Sequence, residues 1–316
     1  MNDPGELDVV IVNWNTGGYL ADCLRSVHAS ACAVDLGRIV VVDNASGDDS
    51  LARARRWLDG PPSVLVRNPG NAGFAAACNQ GARLGTAPLI LFLNPDARVL
   101  NSALARVVAF FRTPAARTVG ICGAQMVDES GHPGISGGPF PTLRLLLGQV
   151  TGLHRVLPSM FPAKHVTHRA PSGPMDHVIG AFLVVRRDLF EQLGGFDERY
   201  FLYYEEVDLC LRARELGWAT YHLADAEVVH TGQASSSQIG GRRLAYSLTS
   251  RRAYARAHWP RYRQLLLGLL TTAVELPARL LTEAVRSAGL PTETVRGYLG
   301  HLRAVLASRR PAAGNP

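Results

Sequence analysis

Residues Leu89–Leu93 (LILFL) are apolar without interruption and run straight into Asn94-Pro95-Asp96. A run that short, bounded by turn residues, fits a strand buried on both faces, at the centre of a parallel sheet. Ligands of open α/β sheets collect at the carboxyl ends of such strands. An acid held there by a proline-stiffened turn is placed to hold a divalent cation against a diphosphate. Mg²⁺ is usually bound through one or two carboxylates plus substrate phosphates. The competing reading is an Asx-type turn in which Asp96 caps the next helix. The neighbouring segments weigh against that reading.

Strands are expected at 7–13, 38–42 (closing on Asp43), 63–67 and 119–123, with helices at 18–30, 51–58, 73–84 and 102–112. This alternation specifies βαβ units and a parallel sheet. Residues 131–174 are rich in Gly, Pro and His with weak periodicity, which predicts a long loop. Beyond it come a strand at 177–186, a helix after Arg187, a helix from about 204 to 216 and a strand at 227–230. A basic helical tail is expected after Ser235.

With 316 residues, 47% of them hydrophobic, the chain can bury a large α/β core and carry an appendage. No stretch reaches the ~20 apolar residues of a spanning helix, and the acidic start MNDPGELDVV does not resemble a signal peptide. Five cysteines without metal-ligand spacing suit a reducing, cytoplasmic compartment. Net charge is +7 but uneven: residues 242–316 hold thirteen Arg against three Glu, a net of +10, leaving −3 for the rest. The tail suits nucleic acid, anionic lipid or a phosphorylated substrate. The acidic body argues against nucleic acid as the main partner.

Asp43 closes the second strand, where an acid can hydrogen-bond a ribose hydroxyl or a base N–H. Asp48, Asp49 and Ser50 behind it read better as turn and helix-cap residues. A dehydrogenase would show G-x-G-x-x-G after the first strand. Asn13-Trp14-Asn15-Thr16-Gly17-Gly18 stands there instead. Arg67-Asn68-Pro69-Gly70-Asn71-Ala72-Gly73 opens a helix whose N-terminal N–H groups suit anions, and Asn79 lies further along it. In Tyr203-Tyr204-Glu205-Glu206-Val207-Asp208, three acids occupy a first helical turn, which the helix dipole favours. Asp208 can pair with Arg212 at i,i+4. Adjacent Glu205 and Glu206 cannot face one partner, so one is free to serve as general base. His230 ends a strand and gains meaning only if it converges with Asp96 on one metal.

In order, VIVNWN, VVDNASGD, RNPGNAGFAAACNQG, LILFLNPDA, GAFLVVRRDLFEQLGGFDERYFLYYEEVDLCLRARELGW and VVHTGQAS resemble family 2 glycosyltransferases, in particular the rhamnosyltransferase-like branch. The resemblance covers roughly residues 7–235. It implies the inverting GT-A fold, a Rossmann-like mixed α/β sheet flanked by helices. The catalytic domain would span 1–240, with a nucleotide-sugar half at about 1–125 and an acceptor half at about 175–240. A basic helical segment, 241–316, would follow. By the same resemblance, Asp43 would read a pyrimidine base, with Asn13, Asn15, Asn44, Arg67 and Asn68 nearby. Asn71, Gly73, Asn79 and Asn94 would line the nucleotide-sugar. Asp96 and His230 would hold Mg²⁺ or Mn²⁺, and Glu206 would be the base, beside Glu205 and Asp208. Gly180, Ala181, Phe182 and His177 would border the acceptor. Two departures stand out: Glu205-Glu206 replaces Glu-Asp, and Asp176-His177 replaces Asp-Trp.

The implied reaction moves a sugar, L-rhamnose from dTDP-rhamnose, to a cell-envelope glycan or polyprenyl-diphosphate-linked acceptor. Rival readings keep the fold with UDP-galactofuranose or UDP-N-acetylglucosamine, or make the chain a catalytically silent nucleotide-sugar binder. In the tail, an Arg-rich stretch (251–263) precedes Leu265–Leu281, apolar but interrupted by Pro277 and too short to span. It is expected either to lie on the inner face of the plasma membrane or to pack as a helical hairpin on the catalytic domain.

Overall fold

A computed structural model describes residues 6–31, 33–60, 62–100, 102–232, 240–287 and 291–307. The elements in chain order are β1 (Glu6–Asn13), α1 (Tyr19–Ala29), β2 (Asp35–Asp43), α2 (Ser50–Leu58), β3 (Ser63–Arg67), α3 (Phe74–Ala82), β4 (Leu89–Leu93), β5 (Ala97–Val99), α4 (Ala103–Arg112) and β6 (Val119–Val127). Next come β7 (Gly137–Gly138), α5 (Leu143–Thr151), α6 (Leu153–Val156), β8 (Gly173–Pro174), β9 (His177–Val178), β10 (Phe182–Arg186), α7 (Arg187–Gln192), α8 (Glu205–Glu215) and β11 (Ala219–His230). Four helices close the chain: α9 (Gly241–His258), α10 (Arg261–Leu269), α11 (Leu276–Ser287) and α12 (Thr292–Ala307). Contacts divide the chain into a first unit (residues 1–140, 165–198 and 205–235) and a second (141–164, 199–204 and 236–316).

The first unit is built on one sheet in the order β3-β2-β1-β4-β10-β6-β11-β5, with β8 added beside β11. β3, β2, β1 and β4 run parallel to one another. All five residues of β4 are buried, as their unbroken apolar run requires. α1 buries Leu20, Cys23, Leu24 and Val27, and α4 buries Leu104, Val107, Val108 and Phe111. That is the 3–4 residue spacing of a helix with one apolar stripe. At the amino end of β1, Asp8 is 1% exposed. It accepts hydrogen bonds from the backbone of Arg38 and Ala87 and from Arg187 Nη2 at 2.7–2.9 Å. A Cβ at Gly85 would lie 2.0 Å from that carboxylate.

The sheet is mixed, because β10 lies antiparallel between β4 and β6. The expected strand at 177–186 divides at Ile179-Gly180-Ala181: His177–Val178 pairs with β7, and Phe182–Arg186 enters the main sheet. The strand expected at 227–230 is the last third of β11, whose register breaks between Leu223 and Glu227. That irregularity, together with the polar residues Tyr221, Asp225 and Glu227, hides its period.

In the second unit, the segment expected as loop at 131–174 contains α5 and α6. Thr142 caps α5 by accepting from Leu145 N at 3.1 Å, and Leu145 and Leu146 pack with Ala255, Leu267 and Leu270. α10 continues through a π-helical turn, Leu270–Glu275, into α11. The expectation that Pro277 interrupts this stretch is therefore corrected. A π turn just before a proline relaxes the hydrogen-bond ladder where the ring would clash. Arg261–Val285 thus forms a helical run of 25 residues, long and apolar enough to cross a membrane by length and composition. Glu275 is buried within it, bonded to Arg251 Nη2 at 2.5 Å and Arg279 Nε at 2.9 Å. α12 packs on α9 where Gly297 and Gly300 meet Leu244 and Ala245; a Cβ at either glycine would stand 2.8–2.9 Å from them.

Candidate active site

The pairing registers bring most of the singled-out residues to one edge of the first unit. Asn13, Asp43 and Arg67 are in register at the carboxyl ends of β1, β2 and β3. β4 ends beside them, and Asn94 N donates to Ala181 O at the start of antiparallel β10 (3.0 Å). His230 at the end of β11 lies opposite Ala97, next to Asp96.

Asn13 is the hub of a hydrogen-bonded cluster at the ends of β1 and β2. Its Nδ2 lies 2.8 Å from Asp43 Oδ1, 3.0 Å from Ser46 Oγ and 2.9 Å from Ser50 Oγ. Ser46 donates to Asp43 from its hydroxyl (2.6 Å) and its backbone N–H (3.2 Å). Asn15 closes the ring, donating from its N to Ser46 Oγ and accepting Gly47 N. Asn15 and Ala45 carry φ values of 51° and 60°. Left-handed backbone at residues other than glycine costs of order 1 kcal/mol and collects where a loop is shaped for a ligand. Asp48 accepts from Gly17 N and Ser50 N, a turn-and-cap role. The serines 46 and 50 were readable in the sequence only as turn chemistry, and their part in fixing Asp43 comes from the fold.

A second shelf adjoins. Asn44 Nδ2 donates to Gly73 O (3.1 Å) and Asn71 Oδ1 (3.3 Å), and Asn68 Nδ2 donates to Asn44 Oδ1 (2.8 Å). Gly73 sits at φ 89° immediately before α3, a conformation that favours glycine. Arg67 is exposed. Asn79 stands apart: it is buried, exchanging hydrogen bonds with the Phe196 backbone at 2.8 and 2.9 Å and donating to Glu198 Oε1. Its observed bonds hold the Gly194-Gly195-Phe196 turn.

Asp96 Oδ1 lies 3.4 Å from His230 Nε2, and Asn94 Nδ2 lies 3.4 Å from the same nitrogen. Asp96 is buried, and Thr231 N reaches its carbonyl at 3.3 Å. Among the described residues no group of three or more His, Cys, Asp or Glu side chains is gathered for a metal. One carboxylate and one imidazole within reach of a shared ion make an incomplete oxygen/nitrogen set. That fits a cation whose remaining ligands are phosphate oxygens and water.

α8 presents the acids. A Cβ at Gly180 would lie 3.8 Å from Glu206 Cβ and 3.7 Å from the Phe74 ring, so Gly180 sits beside both. Phe74 was not singled out by sequence, where it reads only as a core aromatic. Glu206 is partly exposed and Glu205 is buried. The Glu205 carboxyl is pushed well above the usual carboxylate range, first by burial and then by its neighbour Glu206. Asp208 is paired with Arg212 Nε at 2.6 Å, and Arg212 also binds Leu193 O and Gly195 O. It makes the i,i+4 ion pair that its spacing allowed. Ala181 and Phe182 are buried at the start of β10, and His177 is buried 6.2 Å from the Phe140 ring. Of the matched segment VVHTGQAS, Gln233–Ser235 lie outside the described residues.

Residues 8–194 match the sequence profile described as Glycosyl transferase family 2. The chain belongs to that family. This glycosyltransferase is 30% identical over 259 residues to an N-acetylglucosaminyl-diphospho-decaprenol L-rhamnosyltransferase of Mycobacterium tuberculosis, covering 74% of the chain and 80% of the relative. It is 25% identical over 220 residues to the dTDP-rhamnosyl transferase RfbF of Shigella flexneri, covering 68% and 67% respectively. Its fold is similar to a mannosyltransferase of Pyrobaculum calidifontis solved in complex with GDP-Man and Mn²⁺. The TM-score is 0.54 at 20% identity, covering 96% of this chain and 81% of that one. The mixed α/β sheet flanked by helices is the GT-A architecture, with helices at the C-terminus.

Proposed function

We propose that this glycosyltransferase moves L-rhamnose from dTDP-rhamnose to a lipid-linked or cell-envelope glycan acceptor, inverting the anomeric centre with the aid of Mn²⁺ or Mg²⁺. The observation that carries the reading is the Asn13–Asp43 cluster at the carboxyl ends of β1 and β2, with the Asp96–His230 pair after β4 and at the carboxyl end of β11 and Glu206 beside Gly180. The rhamnosyltransferase relatives support the donor, and the decaprenyl-diphosphate name of one of them supports a polyprenyl-linked acceptor.

In this reading Asn13 and Ser46 hold Asp43 so that its remaining acceptor capacity meets the base N–H. The Asn44–Asn71–Gly73 shelf and the free N–H groups at the start of α3 face the diphosphate. Asp96 and His230 would hold the cation, which would offset charge on the departing nucleoside diphosphate. Glu206 takes the acceptor hydroxyl proton as that oxygen attacks the anomeric carbon from the face opposite the leaving group. One displacement inverts the centre, and no carboxylate nucleophile is required, unlike a retaining double displacement.

The test is calorimetric titration of the purified protein with dTDP-rhamnose, UDP-sugars and GDP-sugars, with and without Mn²⁺ or Mg²⁺. Metal-dependent binding of dTDP-rhamnose, weakened by Asp43→Ala, is expected. Preference for a UDP-sugar would replace the donor, and silence toward every nucleotide-sugar would refute the transfer reading.

A further inference from the structure

The helical run from α10 through the π turn into α11 has two unlike sides. One side packs inside the second unit: Leu267, Leu270, Thr271 and Glu275 are buried. Tyr298 donates to Thr271 O, and Arg251 binds both Thr271 Oγ1 and Glu275. The other side carries Tyr262, Leu265, Leu266, Leu269, Leu281 and Val285, each between 47% and 74% exposed. Between Arg263 and Arg279 no exposed side chain is charged. These large apolar side chains fall in two groups, 262–269 and 281–285, joined by a stretch whose exposed residues are Thr272, Ala273, Pro277 and Arg279. Clustered exposed apolar side chains of this size on a folded protein mark a contact with something else.

Charge identifies the occupant. Exposed Arg261 and Arg263 flank the amino end of the stripe, and exposed Arg279 lies beside its second half. The three acids of this region are all engaged: Glu275 by Arg251 and Arg279, Glu283 by the N–H groups of Glu293 and Thr294, and Glu293 by Arg296. An apolar face with exposed Arg261 and Arg263 at its amino end, no exposed acid between Arg261 and Arg279 and an aromatic residue at its edge matches the interfacial layer of an anionic bilayer. A transmembrane path fits less well. It would strip the protein from one half of the helix and draw Glu275 with its arginines into hydrocarbon, where buried charge is costly.

We propose that the exposed stripe of α10 and α11 lies flat on an anionic membrane surface, its leucines in the acyl boundary and its arginines among lipid phosphates. The inference stands on the second unit alone and does not depend on the sugar-transfer reading. It would bring the chain to the surface where a polyprenyl-linked acceptor resides.

The test is flotation of the full chain with phosphatidylcholine vesicles with or without one-quarter phosphatidylglycerol, compared with Leu265→Glu/Leu269→Glu. Circular dichroism and donor titration run alongside as fold controls. Expected is at least tenfold greater recovery on anionic vesicles, loss of that recovery in the variant or in high salt, and release by alkaline carbonate. If the double variant misfolds, Leu281→Glu/Val285→Glu replaces it with the same expectation. Absence of wild-type flotation, or flotation unchanged by the substitutions, overturns the proposal. Resistance to carbonate overturns it in favour of a spanning helix. A wild-type dimer that the glutamates convert to monomer, without vesicle binding, overturns it in favour of a second copy. Because donor binding is read separately, failure here is distinguishable from failure of the transfer reading.

Discussion

Asp96 and His230 meet at 3.4 Å because the three residues of β5 pair antiparallel with the end of β11, setting Ala97 opposite His230. In the proposed reading this pairing would supply two cation ligands on backbone fixed by a sheet. Asp96→Ala is expected to lower metal-dependent donor affinity at least tenfold, about 1.4 kcal/mol. His230→Ala should lower it less, since an imidazole contributes no charge to the site. Titrating each variant with donor across a Mn²⁺ series checks this, and equal affinity in wild type and Asp96→Ala would remove the metal from the mechanism.

Glu206→Gln keeps the shape of the side chain and removes the proton acceptor. It is expected to lower kcat by ~10²–10⁴ with donor affinity within twofold of wild type. Glu206→Asp should recover part of the rate, because the carboxylate returns one methylene shorter. A glutamine variant with wild-type turnover in a coupled nucleotide-release assay would exclude Glu206 as the base.

These two sites differ in how far they could be read from sequence. The β4 run into Asn94-Pro95-Asp96 was legible because a doubly buried strand has an unmistakable composition, and Ser63–Arg67 matched its expected bounds. β5 was not: three residues carry no period, so its role in meeting His230 depends on a distant partner strand. α5 was masked by its Gly- and Pro-rich surroundings, although Leu143-Arg144-Leu145-Leu146-Leu147 behind a capping Thr142 carries a helical signal. Asn79 and Asp208 show the other limit. Their residue types suit a site; the i,i+4 spacing already offered Arg212 to Asp208, whereas only three-dimensional contacts reveal that Phe196 occupies Asn79.

Glu205 gives a stability prediction with a definite sign. Its folded carboxyl titrates above the ordinary 4.5, so the folded state holds its proton over a range where the unfolded chain releases it. Folding is therefore favoured below about 4.5 and loses that contribution as pH rises toward the folded value. Glu205→Gln should raise the melting temperature at pH 7.5 by more than at pH 4.5. A shift independent of pH in parallel thermal melts would count against the buried neutral carboxyl.

Arg251 and Glu275 predict the opposite dependence in the second unit. Burial opposes ionisation of Glu275, but Arg251 and Arg279 outweigh it and hold the carboxyl below its usual value. Their contribution is present above about 4.5 and is lost as pH falls through the folded value. Arg251→Ala should cost about 3–5 kcal/mol, the usual penalty for leaving one partner of a buried pair behind. Trp259, packed against the Leu145–Leu267 cluster, is a built-in fluorescence reporter for both the acid transition and the variant.

The position of β10 constrains how the polypeptide is made. A nascent chain that has emerged from the ribosome as far as Val127 contains β4 and β6, yet both neighbours of β6, β10 and β11, are still unsynthesised. Until Arg186 is clear of the exit tunnel, β4 has an open hydrogen-bonding edge and β6 has no pairing partner in the main sheet. Such edges invite intermolecular strand pairing. Translational pausing within 128–186, or chaperone occupancy over that window, should therefore govern how much of this protein reaches its native state.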